Sequence, residues 1–145
     1  MSTTTSVRFG RDVTRGVDAY MAQSGWNRTV LVNTAVAEWL KVQDHPGIRF
    51  VPTPTGARVA ALVNGPEIWT VAESWNQHSP EHRAVDNLVA ATGLSPREVS
   101  AALAYYADYR EEIDAEIARV YQAQTQARQA WERRQALHGA TETLA

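Results

Sequence analysis

The segment Asn27 to Asp44, NRTVLVNTAVAEWLKVQD, constrains this chain more than any other. At helical spacing its apolar residues Val30, Leu31, Val32, Ala35, Val36, Trp39 and Leu40 cover more than half the circumference instead of one stripe. Such a helix must be covered from several directions. The chain before it offers little cover. Val13, Val17, Tyr20, Met21 and Ser24 fall at i, i+4, i+7, i+8 and i+11, which predicts a helix with a single apolar stripe, stopped by Gly25. Before that, Thr3 to Phe9 reads TTTSVRF, with Val7 and Phe9 on one face and Ser6 and Arg8 on the other, the alternation of a strand. A unit of about 40 residues seldom stabilises itself without disulfides, metals or a partner. There is no cysteine. The physical solution is a second copy, whose strand pairs with the first as a two-stranded antiparallel ribbon while four helices share one core. Folding is then coupled to dimerisation. The expected dimer core is Val7, Phe9, Val13, Val17, Tyr20, Leu31, Val32, Ala35, Val36 and Trp39.

The order strand, V-x-x-x-V-x-x-Y-M, Gly25-Trp26, Asn27-Arg28-Thr29 and then a buried helix runs without a gap over residues 3–42. It resembles the ribbon-helix-helix family of Arc-, MetJ- and CopG-type repressors. That resemblance implies that alternate polar residues of the ribbon enter the major groove, which is wide enough to admit two strands. By the same resemblance Thr4, Ser6 and Arg8 would read bases, Arg8 by a bidentate bond to guanine and Thr4 also by touching the thymine methyl. Asn27, Arg28 and Thr29, at the second helix's N-terminus, would anchor a phosphate, assisted by Arg11 and Arg15. A solvated strand face is the alternative for Thr4, Ser6 and Arg8.

Charge is distributed to match. The net charge of -2 divides into +3 for residues 1–66, -7 for residues 67–116 and +2 for residues 117–145. A polyanion would meet the N-terminal part and be repelled by the middle.

Between Asp44 and Gly65, apolar runs at Ile48 to Val51 and Val59 to Val63 flank Pro-Thr-Pro-Thr-Gly, predicting a β-hairpin. Pro46, Pro52 and Pro54 leave an extended linker as the alternative. Ile68, Trp69, Ala72 and Trp75 then predict a helix up to Ser79, and Val85, Leu88 and Val89 a second over about Glu81 to Thr92. After Gly93, Ser95 and Glu98 form a capping box with Pro96 in the first turn, while Leu94 and Val99 can staple. Gly93 to Leu103 has the look of a helix-turn-helix. Its would-be reading helix is followed by Asp108, Glu111, Glu112, Asp114 and Glu116, the wrong sign for phosphate, so the unit is read as packing or protein-binding surface. Residues 65–117, with SPREVSAALAYYADYREEIDAEI, also resemble a small uncharacterised bacterial antitoxin-like family. This implies an interaction role, with a PIN-like ribonuclease toxin as candidate partner. From Arg110 to Leu137 no breaker occurs, and Ile113, Ile117, Val120, Tyr121, Ala127, Trp131 and Leu137 form a thin stripe. A long, partly exposed helix is expected, docked on its own body or on a partner, with fraying after His138.

Enzymatic chemistry finds no foothold. His78 and His82 bracket Glu81, but Pro80 puts the first outside the helix and no third ligand follows, so neither metal nor cofactor is expected. His45 and His138 read as solvent-facing, and Glu111, Glu112, Asp114 and Glu116 as a solvated helix face. G-x-G-x-x-G, P-loop and G-x-S-x-G motifs are missing. No apolar run approaches the roughly 20 residues of a membrane span, and Met1 to Thr5 lack a signal peptide's apolar region, which suggests a cytoplasmic protein.

The expected architecture is mainly α. It comprises a ribbon-helix-helix domain over residues 1–44, a hairpin or linker over 45–64, an acidic helical module over 65–118 and a C-terminal helix over 119–145. The expected function is a non-enzymatic, homodimeric, antitoxin-type repressor of a double-stranded DNA operator, with higher-order assembly on DNA left open. The competing expectation is a protein-interaction adaptor whose ribbon only dimerises it.

Overall fold

The computed structural model describes residues 3–143, with side chains through residue 140. Met1, Ser2, Leu144 and Ala145, which belong to the expected terminal segments, lie outside the described residues. The chain is mainly helical and separates into two units, Met1–Asp44 and His45–Ala145.

The first unit is a helical pair. Helix α1 (Arg11–Ser24) begins with Asp12 in its first turn, where a carboxylate complements the helix dipole, and ends at Gly25. There φ is +75°, a conformation open to glycine, and the Gly25 amide closes the helix onto the Met21 carbonyl at 3.0 Å. Asn27 starts α2 (Arg28–Asp44) by accepting the Val30 amide on its side-chain oxygen at 2.9 Å, an N-cap that satisfies one of the orphan donors. Tyr20 and Trp26 brace the turn edge to face, with ring centroids 5.9 Å apart. Residues 3–10 carry neither helix nor ladder in the single chain. The alternation of Thr3 to Phe9 does not make a strand alone, since a strand is completed by a neighbour's hydrogen bonds and this unit has no other strand among the described residues.

The second unit is built around a hairpin. Strands β1 (Ile48–Pro52) and β2 (Arg58–Leu62) pair antiparallel, with Ile48 opposite Leu62 and Phe50 opposite Ala60. The three prolines do not prevent pairing. Pro46 and Pro54 lie outside the strands, and Pro52 is the last residue of β1, so no central ladder bond is lost. Gly56, at φ +85°, makes the turn and donates to the Thr53 carbonyl.

Four helices follow: α3 (Ile68–Gln77), α4 (Val85–Thr92), α5 (Pro96–Asp108) and α6 (Arg110–Thr143). Helix α5 is central. Its Val99, Ala102, Tyr105 and Tyr106 join Ile48, Ala60 and Leu62 of the hairpin, Ile68, Val71 and Ala72 of α3, Leu88 of α4 and Ile113 of α6 in one core. The hairpin and all four helices therefore share one interior, and no boundary falls near residue 64 or 118. The capping box forms as expected: Ser95 Oγ accepts the Glu98 amide at 3.2 Å, and Glu98 returns a carboxylate oxygen to the Ser95 amide at 2.8 Å.

Two helix limits differ from expectation. The helix predicted from Glu81 starts only at Val85, after a single 3-10 turn at Pro80–His82. Arg83 is held back to close α3, donating through Nε to the carbonyls of Trp75 and His78 at 3.2 and 3.1 Å, and Ala84 is extended. At the other end α6 continues past His138 to Thr143, Gly139 included. A single glycine weakens a helix by about 1 kcal/mol but does not stop it.

Candidate nucleic-acid interface and dimerisation surface

The first unit contains no fully buried residue in either helix. Its apolar side chains are exposed or half-buried: Val13 is 54% exposed, Val36 52% and Trp39 62%. A pair of helices in this state has not completed a core. The exposed surface has shape. Phe9, Val13, Gly16, Val17 and Tyr20 from one side and Leu31, Val32, Ala35 and Val36 from the other line one apolar concavity of about 350 Å³. Eight of the ten expected core residues meet there. The other two do not line it: Val7 lies in the extended segment, 68% exposed, and Trp39 lies further along α2.

Gly16 has a simple role in this surface. A Cβ built on it would meet nothing within 4 Å, so its lack of a side chain widens the concavity without being forced by crowding inside one chain.

The expected DNA-reading residues stand on the same unit. Thr4, Ser6 and Arg8 are exposed on the extended segment that leads into α1. Arg11 is exposed at the first position of α1. Two of the expected phosphate cations are already engaged. Arg28 donates to Asp18 at 2.8 Å, tying the start of α2 to α1, and Arg15 lies 3.9 Å from Asp12. Both pairs are well exposed, so water screens them and a phosphate can share the guanidinium. The side-chain oxygen of Asn27 is occupied by its capping bond. What Asn27, Arg28 and Thr29 offer an anion is therefore mainly the first backbone amides of α2, which have no acceptor within the helix.

In the second unit the structure corrects two readings. His45 is not a solvent-facing turn residue. Its side chain is only 10% exposed, bonds Asp108 through Nε2 at 2.8 Å, and packs edge-on against Tyr105 and Tyr109. Asp-His-Pro-Gly is turn chemistry, and the partners that bury His45 are some 60 residues away, so nothing local announced the contact. Nor are the α6 carboxylates a uniformly solvated face. Glu111 and Asp114 are exposed, but Glu112 accepts the Tyr105 hydroxyl at 2.6 Å, Asp114 accepts that of Tyr106 at 2.6 Å, and Glu116 is only 4% exposed. Burial, reinforced by the Glu112 carboxylate, pushes the Tyr105 phenol well above its ordinary range, and burial with Asp114 raises Tyr106 likewise. These phenols act as neutral donors that fasten α6 to α5. The spacing of Tyr105 to Glu112, seven residues across a helix break, was the available signal.

The two histidines that bracket Glu81 bond locally: His78 Nδ1 with the Ser74 carbonyl at 2.6 Å and His82 Nδ1 with Ser79 Oγ at 2.7 Å. Among the described residues no group of three or more His, Cys, Asp or Glu is placed to hold a metal ion, and no helix is long and apolar enough to cross a membrane. The helix-turn-helix-like segment places its second helix, α5, at the centre of the core, with Val99, Ala102, Tyr105 and Tyr106 buried. Its opposite face, with Arg97, Ser100, Ala104 and Ala107, stays exposed.

Comparison of the chain with family models, with curated proteins and with solved structures found no match.

Proposed function

We propose that this chain is a dimeric, sequence-specific DNA-binding regulator of the ribbon-helix-helix type. In this reading two copies join through Met1–Asp44, residues 3–9 pair as an antiparallel ribbon, and Thr4, Ser6 and Arg8 read the major groove from its outer face. The observation that carries the proposal is the incomplete helical pair. Neither α1 nor α2 buries a residue, and one apolar concavity collects nine residues from the segment and helices that a second copy would cover. Arg8 and Arg11, with the α2 amides, then supply phosphate and base contacts, and phosphate contacts make affinity fall steeply with salt. An antitoxin-type repressor would use the acidic second unit for a protein partner, a PIN-like toxin being the candidate that its residues 65–117 suggest.

The test is a duplex-binding assay at two salt concentrations, comparing the DNA upstream of the chain's own coding sequence with random duplex. A repressor prefers the former at both, and Arg8→Ala narrows the difference. One observation favours a second reading, an interaction adaptor whose ribbon only dimerises it: Arg15 and Arg28 already face Asp12 and Asp18. Dimeric protein with no salt-dependent duplex binding at low ionic strength would establish the adaptor instead.

A further inference from the structure

Helix α6 lives in two environments. Near its start Ile113 is buried in the core, and Ile117 and Val120 are half-buried against the body. From Tyr121 to residue 140 every residue is exposed except the half-buried Ala130, although Ala127 and Trp131 continue the face that carries Ile113, Ile117 and Val120. Trp131 is 59% exposed on that face. A helix of 34 residues is about 51 Å long. It has no proline and no break, and unbroken helices curve only gently, so its distal half cannot return to its own body. A solitary helix of this composition is marginal in water. Cover for the Trp131 face must come from another molecule.

Charge selects which. The distal half carries Arg128, Arg133 and Arg134 against Glu132, while residues 67–116 carry a net -7. Two tails laid side by side would bring arginines together, whereas the acidic body of another copy attracts them. We infer that the distal half of α6 docks through its Trp131 face on the acidic helical module of a second copy of this chain, reciprocally. The inference rests on the dimer reading only for local concentration: a copy held through Met1–Asp44 presents its module at roughly millimolar effective concentration.

The test is hydrogen exchange of amides 122–140 in the full chain, with molecular size measured in parallel. At low salt and high concentration these amides should be protected, and protection should fall with dilution and salt. Trp131→Ala, and the triple change Arg128→Glu, Arg133→Glu, Arg134→Glu, should each speed their exchange about tenfold or more while the core amides of α5 stay slow. A body variant, Asp86→Arg with Glu111→Arg, should lose protection as well. Mixing it with the arginine-reversed tail variant should restore protection to that tail, which only docking between two chains can do. The inference is overturned by protection that ignores dilution and arginine reversal, by its absence in the parent chain, by a mixture that restores nothing, or by protection that appears only when a foreign acidic protein is added. A chain monomeric by size at every concentration overturns the inference, whereas association that persists in Val36→Asp, with tail protection still falling on dilution and salt, would defeat the Met1–Asp44 dimer and leave this inference standing.

Discussion

Substituting aspartate for Val36 separates a finished single-chain fold from half of a shared one. In one chain Val36 is 52% exposed on α2 and forms part of the apolar concavity. If the single chain is complete, Val36→Asp is a surface change on a helix, where valine and aspartate have similar propensity, and it costs about 0.5 kcal/mol. If a second copy covers the concavity, the remaining half of the valine is buried too, worth about 1 kcal/mol per copy. The new carboxylate is then desolvated without a partner, at about 2 kcal/mol or more even after relaxation. Two-fold symmetry counts each effect twice, so the dimer loses about 6 kcal/mol, or about four decades in dissociation constant. Sedimentation equilibrium reads the association, and thermal melts over a hundredfold range of protein concentration read the coupling of folding to it. The α5 core of the second unit serves as internal control. Unchanged association in Val36→Asp, or a parent chain whose melting does not depend on concentration, refutes the shared core.

Other outcomes follow from the same structure. Arg8→Ala should cost about 1–3 kcal/mol on the preferred duplex and little on random sequence, read by competition binding at fixed salt. Asn27→Ala removes the cap on the Val30 amide and should destabilise the first unit by about 1 kcal/mol in a denaturant titration. The Ser95 amide holds the Glu98 carboxyl below its ordinary pKa of 4.5. A lowered folded value means that this bond's stabilisation is complete above pH 4.5 and disappears as pH falls through the folded value; Glu98→Gln should flatten that part of the stability profile, lowering stability at pH 7 and changing little in acid below the folded value. Tyr105→Phe strips Glu112 of its 2.6 Å donor and should cost the second unit about 1–3 kcal/mol by chemical denaturation.

The parts of the fold that were legible in the sequence depend on neighbours in the chain. Gly25, the Asn27 cap, and the Ser95 and Glu98 box act over three or four residues, and each appears where its chemistry requires. The hairpin was readable because its register follows from a short turn, although three prolines blurred it. Arg83 defeated the expected start of α4 because its bonds to α3 carbonyls compete with helix formation, and only tertiary placement reveals them. His45 and Glu112 were misread for the same reason: their exposure is decided by Asp108, Tyr105 and Tyr109, which the chain brings back from elsewhere. For the candidate interface, apolar periodicity singled out eight side chains that line one concavity, whereas the pairing of Arg15 and Arg28 depends on where Asp12 and Asp18 point.

A single residue, Tyr109, separates α5 from α6, and two adjacent side chains hold the angle between them, Tyr105 on Glu112 and Tyr106 on Asp114. Beyond them Ile113 and Ile117 pack on the core and Tyr121 bonds Glu73 of α3, so the first three turns of α6 are its fulcrum and the stretch after Tyr121 its arm. Tilting that arm by about 5° swings its end, about 33 Å away, by about 3 Å. A sub-ångström adjustment of the packed turns is thus geared into a displacement of several ångströms at the far end.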